Sequence, residues 1–257
     1  MSADRSAGSA DAASAASSSA SAADSASGEG KSCGITADDV SNIQAAAEQG
    51  LLAELDARRS LLSRVIACAT DNAAGLQSAL NGISLKGLPA DAVPGAAAIQ
   101  SQLSGRLGEA VTYYGLELQK VGSAGIAGTQ AIARETLAYR SSAYEPLADN
   151  VSNFELWVSS QALFAAAENR LNGIANLVSF FEQAGPNNDL QNDLASAQAL
   201  MQSAKSGNRD AENALRGSLP PGQTRALIQE SLQSLSGTYQ KFFDIANVIQ
   251  SLLPSGK

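Results

Sequence analysis

Two seams of mainly apolar residues near the C-terminus constrain the fold of this chain more than any other feature of its sequence. The members of each seam recur at alternating steps of three and four residues, which places them along one side of an α-helix. Two such helices can pack together through their seams. The first seam consists of Leu190, Leu194, Ala197, Met201, Ala204, Asn208, Ala211 and Leu215, and the second of Ile228, Leu232, Leu235, Tyr239, Phe242, Ala246, Ile249 and Leu253.

Similar spacing upstream predicts further helical stretches. The first is expected to begin at Thr36, because the segment Thr36-Ala-Asp-Asp39 resembles a capping box with Asp in place of Glu. Its apolar residues continue as far as Ile83. The second stretch runs from Ile99 to Val121 and, after a glycine-rich interruption, resumes as far as Tyr144.

Prolines and glycines mark the boundaries between these stretches. Pro146 is expected to end or kink the second one, because proline lacks a backbone N–H and clashes with the preceding turn. A third stretch follows from Leu147 and stops at Gly185-Pro186. Short turns between long amphipathic helices predict antiparallel neighbours. The predicted fold is therefore all-α, an elongated antiparallel bundle of four to five long helices with coiled-coil-like packing.

The N-terminal segment differs in composition from the rest of the 257 residues. Its first 32 residues contain 11 Ser and 11 Ala and no Leu, Ile, Val or aromatic residue. A segment with so little to bury cannot offset the entropy lost on ordering. Residues 1–33 are therefore predicted to form a disordered tether, and residues 34–257 a helical bundle domain.

The same segment bears on where the protein works. Flexible Ser/Ala tails are typical of tethered envelope lipoproteins, and this one also looks like the export signal of type III secreted proteins; a tail with no role is the third interpretation. Cys33 is not expected to carry a lipid, because Lys31 and Ser32 do not match the residues that precede a lipidated cysteine. No secretory signal is visible. The chain is thus expected to be either intracellular or a mature form whose signal was removed.

Cys33 and Cys68 are the two cysteines of the chain, and the sequence leaves their pairing open. In an exported protein, an even number of cysteines favours a disulfide. An unbroken helix, which the nearly continuous apolar pattern favours, would hold the two residues about 48 Å apart, whereas bridged Cα atoms lie within about 7 Å. A helical hairpin that turns at Gln49-Gly50 would instead bring them side by side.

Composition excludes several kinds of chemistry. The chain has no histidine, so a Ser-His-Asp triad, a Cys-His pair and imidazole ligation of a metal are excluded. The net charge is −8 and the basic residues are scattered, whereas nucleic acids and anionic membranes select clustered Lys and Arg. We therefore expect no catalytic residue, cofactor, metal or nucleic-acid partner. Membrane association would need a removed or missing anchor, because no stretch approaches the roughly 18–20 apolar residues of a span.

Aromatic residues are the candidates for a partner-binding surface. Aromatic clusters frequently anchor protein partners, although in a bundle poor in aromatic residues they more often serve packing. The candidates are Tyr113, Tyr139, Tyr144 and Trp157.

Gly122, Gly125 and Gly128 form a second candidate feature, spaced at three-residue intervals. Glycines at this spacing either permit close helix contact or unwind a helix into a hinge. They do not form a phosphate-binding loop, because no strand precedes them and no Lys-Ser/Thr pair follows.

These observations favour an exported or surface-tethered helical bundle that works by binding another macromolecule, as adhesins, receptors and accessory envelope proteins do. One alternative is a type III secreted component that self-assembles or binds a chaperone. Another is a small-molecule carrier with a cavity inside the bundle, near the polar seam residue Asn208 or near Gly125. The expected partner is a protein or a second copy of the chain. The expected location is the periplasm or cell surface, with the cytoplasm as the alternative.

Overall fold

The computed structural model describes residues 33–185, 187–217 and 219–252, and these ranges are helical almost throughout and contain no strand. The all-α prediction is confirmed. Of residues 1–33, which are predicted to be disordered, residues 1–32 lie outside the described residues, as do Pro186 and Leu253. Within those ranges there are seven α-helices, namely α1 (Ala37–Gln49), α2 (Leu51–Gly82), α3 (Val93–Val121), α4 (Ile126–Tyr139), α5 (Glu145–Ala184), α6 (Asn188–Arg216) and α7 (Pro221–Leu252).

The helices outnumber the four or five expected, because two of the expected helices are interrupted. Gly50 separates α1 from α2 with a φ of 124°, a conformation that glycine adopts far more readily than other residues. The second interruption lies between Val121, the last residue of α3, and Ile126, the first residue of α4. In both places the apolar spacing continues past the break, but only Gly50 has a conformation that favours glycine; Gly125, the N-cap of α4, has ordinary extended backbone with a φ of −76°.

Pro146 does not end a helix. A five-residue π-helical turn, Arg140–Tyr144, links α4 to α5, and Pro146 lies in the first turn of α5. A missing N–H is tolerated in a first turn, because that donor has no partner within the helix. The structure therefore has a widened turn directly before Pro146, and the kink expected there stays a prediction.

The described chain divides into two compact units. Unit 1 comprises residues up to Ser78 and residues 107–140, and so contains α1, most of α2, the second half of α3, and α4. Unit 2 comprises residues 79–106 and the chain from Ser141 onward, and so contains the first half of α3 together with α5, α6 and α7. The assignment of residues 34–257 to one domain stays a prediction.

Helix α1 begins where the sequence predicts. Thr36 is its N-cap: the hydroxyl of Thr36 accepts a hydrogen bond from the backbone N–H of Asp39 at 3.2 Å, and the Asp39 carboxylate accepts one from the Thr36 N–H at 2.8 Å. These reciprocal bonds satisfy two donors that a helix start leaves without an intrahelical partner. The predicted capping box is confirmed.

In unit 1, α1 and α2 form an antiparallel hairpin around Gly50. Arg64 on α2 forms an ion pair with Asp39 on α1, and Cys68 is bonded through its sulfur to Cys33, with a Cα–Cα distance of 5.6 Å. The two helices run in opposite directions, because rising residue numbers on one meet falling numbers on the other. The expectation of one unbroken helix from Thr36 onward is therefore wrong, and the structure contains the hairpin alternative with its disulfide.

The interior of unit 1 comes from α2, α3 and α4. Gln77 on α2 lies against Gly108 on α3, and Arg59 Nε donates a hydrogen bond to the carbonyl of Ala124, just beyond α3, at 2.9 Å. These two contacts make α2 and α3 antiparallel. The buried apolar residues are Leu62, Ile66, Ala69, Ala73, Leu107, Ala110, Tyr114, Val121 and Ile132.

In unit 2, α6 runs antiparallel to both α5 and α7. Asp193 forms an ion pair with Lys241, and Ala204 accepts a hydrogen bond from Ser231. Residue numbers on α7 therefore fall as those on α6 rise. Glu168 and Lys205 form an ion pair across α5 and α6. The core between the three helices contains the residues Phe164, Ala167, Met201, Ala204 and Leu235, followed toward one end by Val178, Leu190, Ile245 and Ile249.

Candidate binding sites

An apolar cleft of about 520 Å³ opens in unit 1. Its sides are formed by the segment Cys33–Ile35, by α1 and α2, and by α4, with the ring of Tyr114 contributed by α3. The disulfide holds Cys33 against α2, and both helices of the α1–α2 hairpin contribute to the lining. The apolar residues that line it are Ile35, Ile43, Leu61, Leu62, Val65, Ala69, Ala133 and Leu137.

Three arginines, and none of the described acidic residues, contribute to the lining of this cleft: Arg58, Arg134 and Arg140. Arg58 forms an ion pair with Glu54 one turn earlier on α2, at 2.7 Å. Arg134 is exposed, and its Nε donates a hydrogen bond to the carbonyl of Gln130. The charge that faces the cleft is therefore predominantly positive, in a protein whose net charge is −8.

Thr136 adds one polar group to the same lining. Only 6% of this residue is exposed. Within the described part of the chain, its hydroxyl oxygen makes no hydrogen bond. A buried hydroxyl without a partner costs about 1–3 kcal/mol. Less than 1 Å² of this oxygen is accessible, so it is closed off from the cleft although the residue belongs to the lining.

Two of the candidate aromatics meet in unit 1. The rings of Tyr113 and Tyr139 stack with centroids 3.8 Å apart, and both rings meet Tyr114 edge to face at 5.6 Å. Burial, followed by the carboxylates of Glu117 and Glu135, raises the pKa of the Tyr113 phenol above its ordinary value of 10.0. Tyr113 and Tyr139 are half-buried, so a partner-binding role for them stays a prediction.

The other two candidates lie in unit 2. Tyr144, the last residue of the π-helical turn, is half-buried, and its role also stays a prediction. Trp157 is only 1% exposed. Its indole N–H donates to the backbone carbonyl of Asn208 at 3.4 Å. Trp157 is therefore a core residue that joins α5 to α6, which corrects its interpretation as a surface anchor.

The candidate hinge glycines lie at the α3–α4 connection. Gly122 belongs to the turn after α3, Gly125 is the N-cap of α4, and Gly128 falls within its first turn. A Cβ on Gly128 would approach the Cβ of Ala124 to 3.1 Å, so close packing accounts for that glycine. A hinge role for the three stays a prediction.

The expected cavity beside Asn208 is filled. Gln161 on α5 and Asn208 on α6 face each other, and each side-chain amide donates to the other at 3.0 Å. The polar seam position is therefore occupied by a hydrogen-bonded pair, which corrects the interpretation of Asn208 as the edge of a ligand site. The apolar cleft of unit 1 lies instead beside α4, close in sequence to Gly125.

A shallower groove of about 380 Å³ lies between α5 and α7 in unit 2. It is lined by Arg170, Gly173, Ile174 and Leu177 of α5 and by Tyr239, Phe242, Phe243 and Ala246 of α7. The guanidinium of Arg170 lies 5.4 Å from the centre of the Tyr239 ring, a cation–π distance.

Large apolar side chains stand exposed along this groove. Phe243 is 64% exposed and Leu177 is 43% exposed. Phe180, which is 66% exposed, follows Leu177 by three residues and so lies on the same face of α5. We call Leu177, Phe180 and Phe243 the α5/α7 apolar patch.

Sequence reasoning missed this patch, although a signal for it was present. Phe180-Phe181 and Phe242-Phe243 are adjacent pairs, and consecutive residues of a helix point about 100° apart because a turn holds about 3.6 residues. When Phe181 and Phe242 pack inward, Phe180 and Phe243 must point outward. The doublets therefore indicate an exposed aromatic on each helix.

Comparison of the chain with protein-family models, with curated proteins and with solved structures finds no match. Within the described ranges, no helix combines the length and the apolar character needed to cross a membrane. The acidic and cysteine side chains of the same ranges form no group of three or more that could hold a metal ion.

Proposed function

We propose that this protein is an exported, non-catalytic helical protein that binds a protein partner through the α5/α7 apolar patch. The exposure of Phe180 and Phe243 is the observation that carries the proposal. Two phenylalanines and a leucine in contact with water cost free energy, and contiguous exposed apolar patches mark interaction sites. Aromatic residues are also enriched among those that dominate binding to proteins.

The neighbourhood of the patch supports a protein rather than a small ligand. The groove between α5 and α7 is shallow and open, and Arg170 on its edge is exposed, so an acidic side chain of the partner would find a counter-charge there. A partner that inserts apolar side chains beside Phe243 and places a carboxylate near Arg170 matches the groove in shape and charge. Such a combination of an apolar centre and a polar rim is typical of protein interfaces.

The disulfide supports export. Disulfides persist in secreted, periplasmic and surface proteins and are rare in the reducing cytosol. Cys33 follows the Ser/Ala-rich segment directly, so the bridge fixes the point at which that segment joins the helices. Fractionation of cells that express the full gene from its own promoter, with antibody detection, tests location directly; recovery of the chain only in the cytosol, with free thiols, would contradict export.

Photo-crosslinking tests the binding surface. A photoreactive phenylalanine analogue at position 180 or 243 should give an adduct of one mass in cells of the source organism. Ser206, which is exposed on α6, is the matched control position and should give none. Adducts at all three positions, or none at 180 and 243, would overturn the proposal. An adduct between two copies of the chain would show that the partner is a second copy of this protein and not a different protein.

A further inference from the structure

We propose that the apolar cleft of unit 1 binds a long-chain carboxylate, with its alkyl chain between α1, α2 and α4 and its head group at the arginines. This site is separate from the α5/α7 apolar patch and does not depend on the function proposed for that patch. The inference rests on the shape of the cleft and on the charge along it.

The cleft has the size and lining of a ligand site. Its volume of about 520 Å³ lies within the range of about 300–1,000 Å³ that small-molecule pockets occupy. The lining is mainly aliphatic, and its polar groups come from the arginines, from Thr129, Gln130 and Thr136, and from one tyrosine. The cleft is also partly open to solvent. An open cleft of this volume has room for one alkyl chain but not for the two chains of a phospholipid.

The charge along the cleft selects the head group. Arg58, Arg134 and Arg140 line it, and none of the described Asp and Glu residues does. Within the described residues, Arg134 forms no ion pair, whereas Arg58 shares its charge with Glu54. A planar guanidinium matches a carboxylate with two parallel hydrogen bonds. The arginines therefore favour an anionic amphiphile over a neutral or cationic one.

Thr136 supplies no contact for the head group: the residue belongs to the lining, but less than 1 Å² of its hydroxyl oxygen is accessible, so that oxygen does not face the cleft. The chain's own residues 1–32, which lead to Cys33 at the edge of the cleft, offer no Leu, Ile, Val or aromatic side chain, so they match the apolar lining poorly as an alternative occupant.

Calorimetry on the oxidised full chain tests the proposal, with dodecanoate below its micelle concentration as the probe. We expect saturable binding of one molecule per chain, weakening by up to about fourfold for each methylene removed in decanoate and octanoate, because each buried methylene contributes that factor. Dodecanol and dodecylammonium should bind about tenfold more weakly than dodecanoate, since neither can accept the paired guanidinium hydrogen bonds. No saturable binding, or equal binding of the three head groups, would overturn the proposal.

Variants locate the site. Ala133→Trp fills the cleft from an exposed position on α4 and should weaken dodecanoate binding about tenfold or more, whereas Ala127→Trp, exposed on the same helix outside the cleft, should leave it unchanged. Arg134→Gln should weaken binding about three- to tenfold, and Arg209→Gln, exposed on α6, should not. If Ala133→Trp binds as the unmodified chain does while circular dichroism shows both folded, the cleft is not the site. Crosslinking at Phe180 and Phe243 is a separate readout, so either proposal can fail alone.

Discussion

Gln161 and Asn208 exchange two side-chain hydrogen bonds across α5 and α6, each amide nitrogen lying 3.0 Å from the amide oxygen of the other residue. Gln161 is buried and also donates to the carbonyl of Trp157. Asn208 is the polar member of an otherwise apolar seam. A polar residue at one seam position favours a single register of packed helices, because every other register leaves it without a partner.

Replacing one member of this pair should cost more than replacing both. Asn208→Leu leaves the buried amide oxygen of Gln161 without its donor, and we expect the free energy of unfolding to fall by about 1–3 kcal/mol. The double variant Gln161→Leu/Asn208→Leu removes both polar groups and should recover part of that loss. Urea denaturation of the two single variants and the double variant measures the coupling.

Asn192→Leu is the matched control for this pair, because Asn192 is exposed on the same helix as Asn208. Its effect should stay within about 0.5 kcal/mol, as for most surface substitutions. Additive losses in the double variant would show that the two amides do not depend on each other.

The helical class and the α6 seam could be predicted from sequence, but part of the buried face of α7 could not. Ser231 and Thr238 are buried, whereas Leu232 and Tyr239, the predicted seam residues that directly follow them, are only half-buried. Apolar spacing selects the larger and more apolar residue of each of these two pairs. In the structure the smaller residue of each pair is buried instead, because α6 and α7 lie close together there. The spacing of apolar residues within one helix does not reveal how closely a second helix approaches it.

The candidate sites were less predictable than the fold. The cleft of unit 1 requires the chain to reverse at Gly50, and the apolar pattern continues across that glycine as it would in an unbroken helix. The α5/α7 apolar patch could have been predicted from the sequence, because each Phe-Phe doublet implies one exposed phenylalanine. Spacing alone identifies one helix face at a time, whereas a cleft depends on how several helices meet.

The Cys33–Cys68 bridge should stabilise the α1–α2 hairpin measurably. It closes a loop with a sequence separation of 35 residues, and a loop of that length contributes about 2–4 kcal/mol by restricting the unfolded chain. Cys33→Ser/Cys68→Ser should therefore lower the free energy of unfolding by about that amount. Reductant should bring the unmodified chain to the same stability and leave the double variant unchanged. Mass spectrometry after alkylation without reductant gives the direct check, and two alkylated thiols would contradict the bridge.

Asp39 should titrate well below an ordinary aspartate. The Thr36 backbone N–H, followed by the side chains of Arg64 and Thr36, lowers the pKa of Asp39 from 3.8 to about 2. Because the folded-state pKa lies below the unfolded one, its contribution to stability is present above about pH 4 and is lost as the pH falls toward 2. NMR titration of the carboxyl carbon measures the midpoint. Arg64→Gln should raise it, and an unchanged midpoint would contradict the role of the ion pair.

Removal of two buried hydroxyls on α7 should have opposite effects on stability. Within the described residues the hydroxyl of Thr224 has no hydrogen-bond partner, whereas that of Ser231 donates to the carbonyl of Ala204 at 2.9 Å. Thr224→Val keeps the side-chain shape and removes an unsatisfied group, so stability should stay equal or rise. Ser231→Ala loses a buried hydrogen bond and should cost about 0.5–1.5 kcal/mol. Thermal denaturation of both variants checks the contrast, and a clear loss in Thr224→Val would indicate an acceptor for its hydroxyl.

Substitution of two helical glycines by alanine should distinguish the effect of backbone entropy from the effect of close helix packing. Gly105, exposed on α3, has no atom within 4 Å of the position of an added Cβ, whereas at Gly207 on α6 that atom would lie 3.2 Å from the Cβ of Ser231 on α7. Gly105→Ala should raise the free energy of unfolding by about 0.5–1 kcal/mol, because alanine loses less backbone entropy in a helix. Gly207→Ala has the same entropic advantage, but the added Cβ must push α6 away from α7. The free energy of unfolding of Gly207→Ala should therefore be lower than that of Gly105→Ala. Equal gains from both substitutions in urea denaturation would show that the two helices can separate without cost.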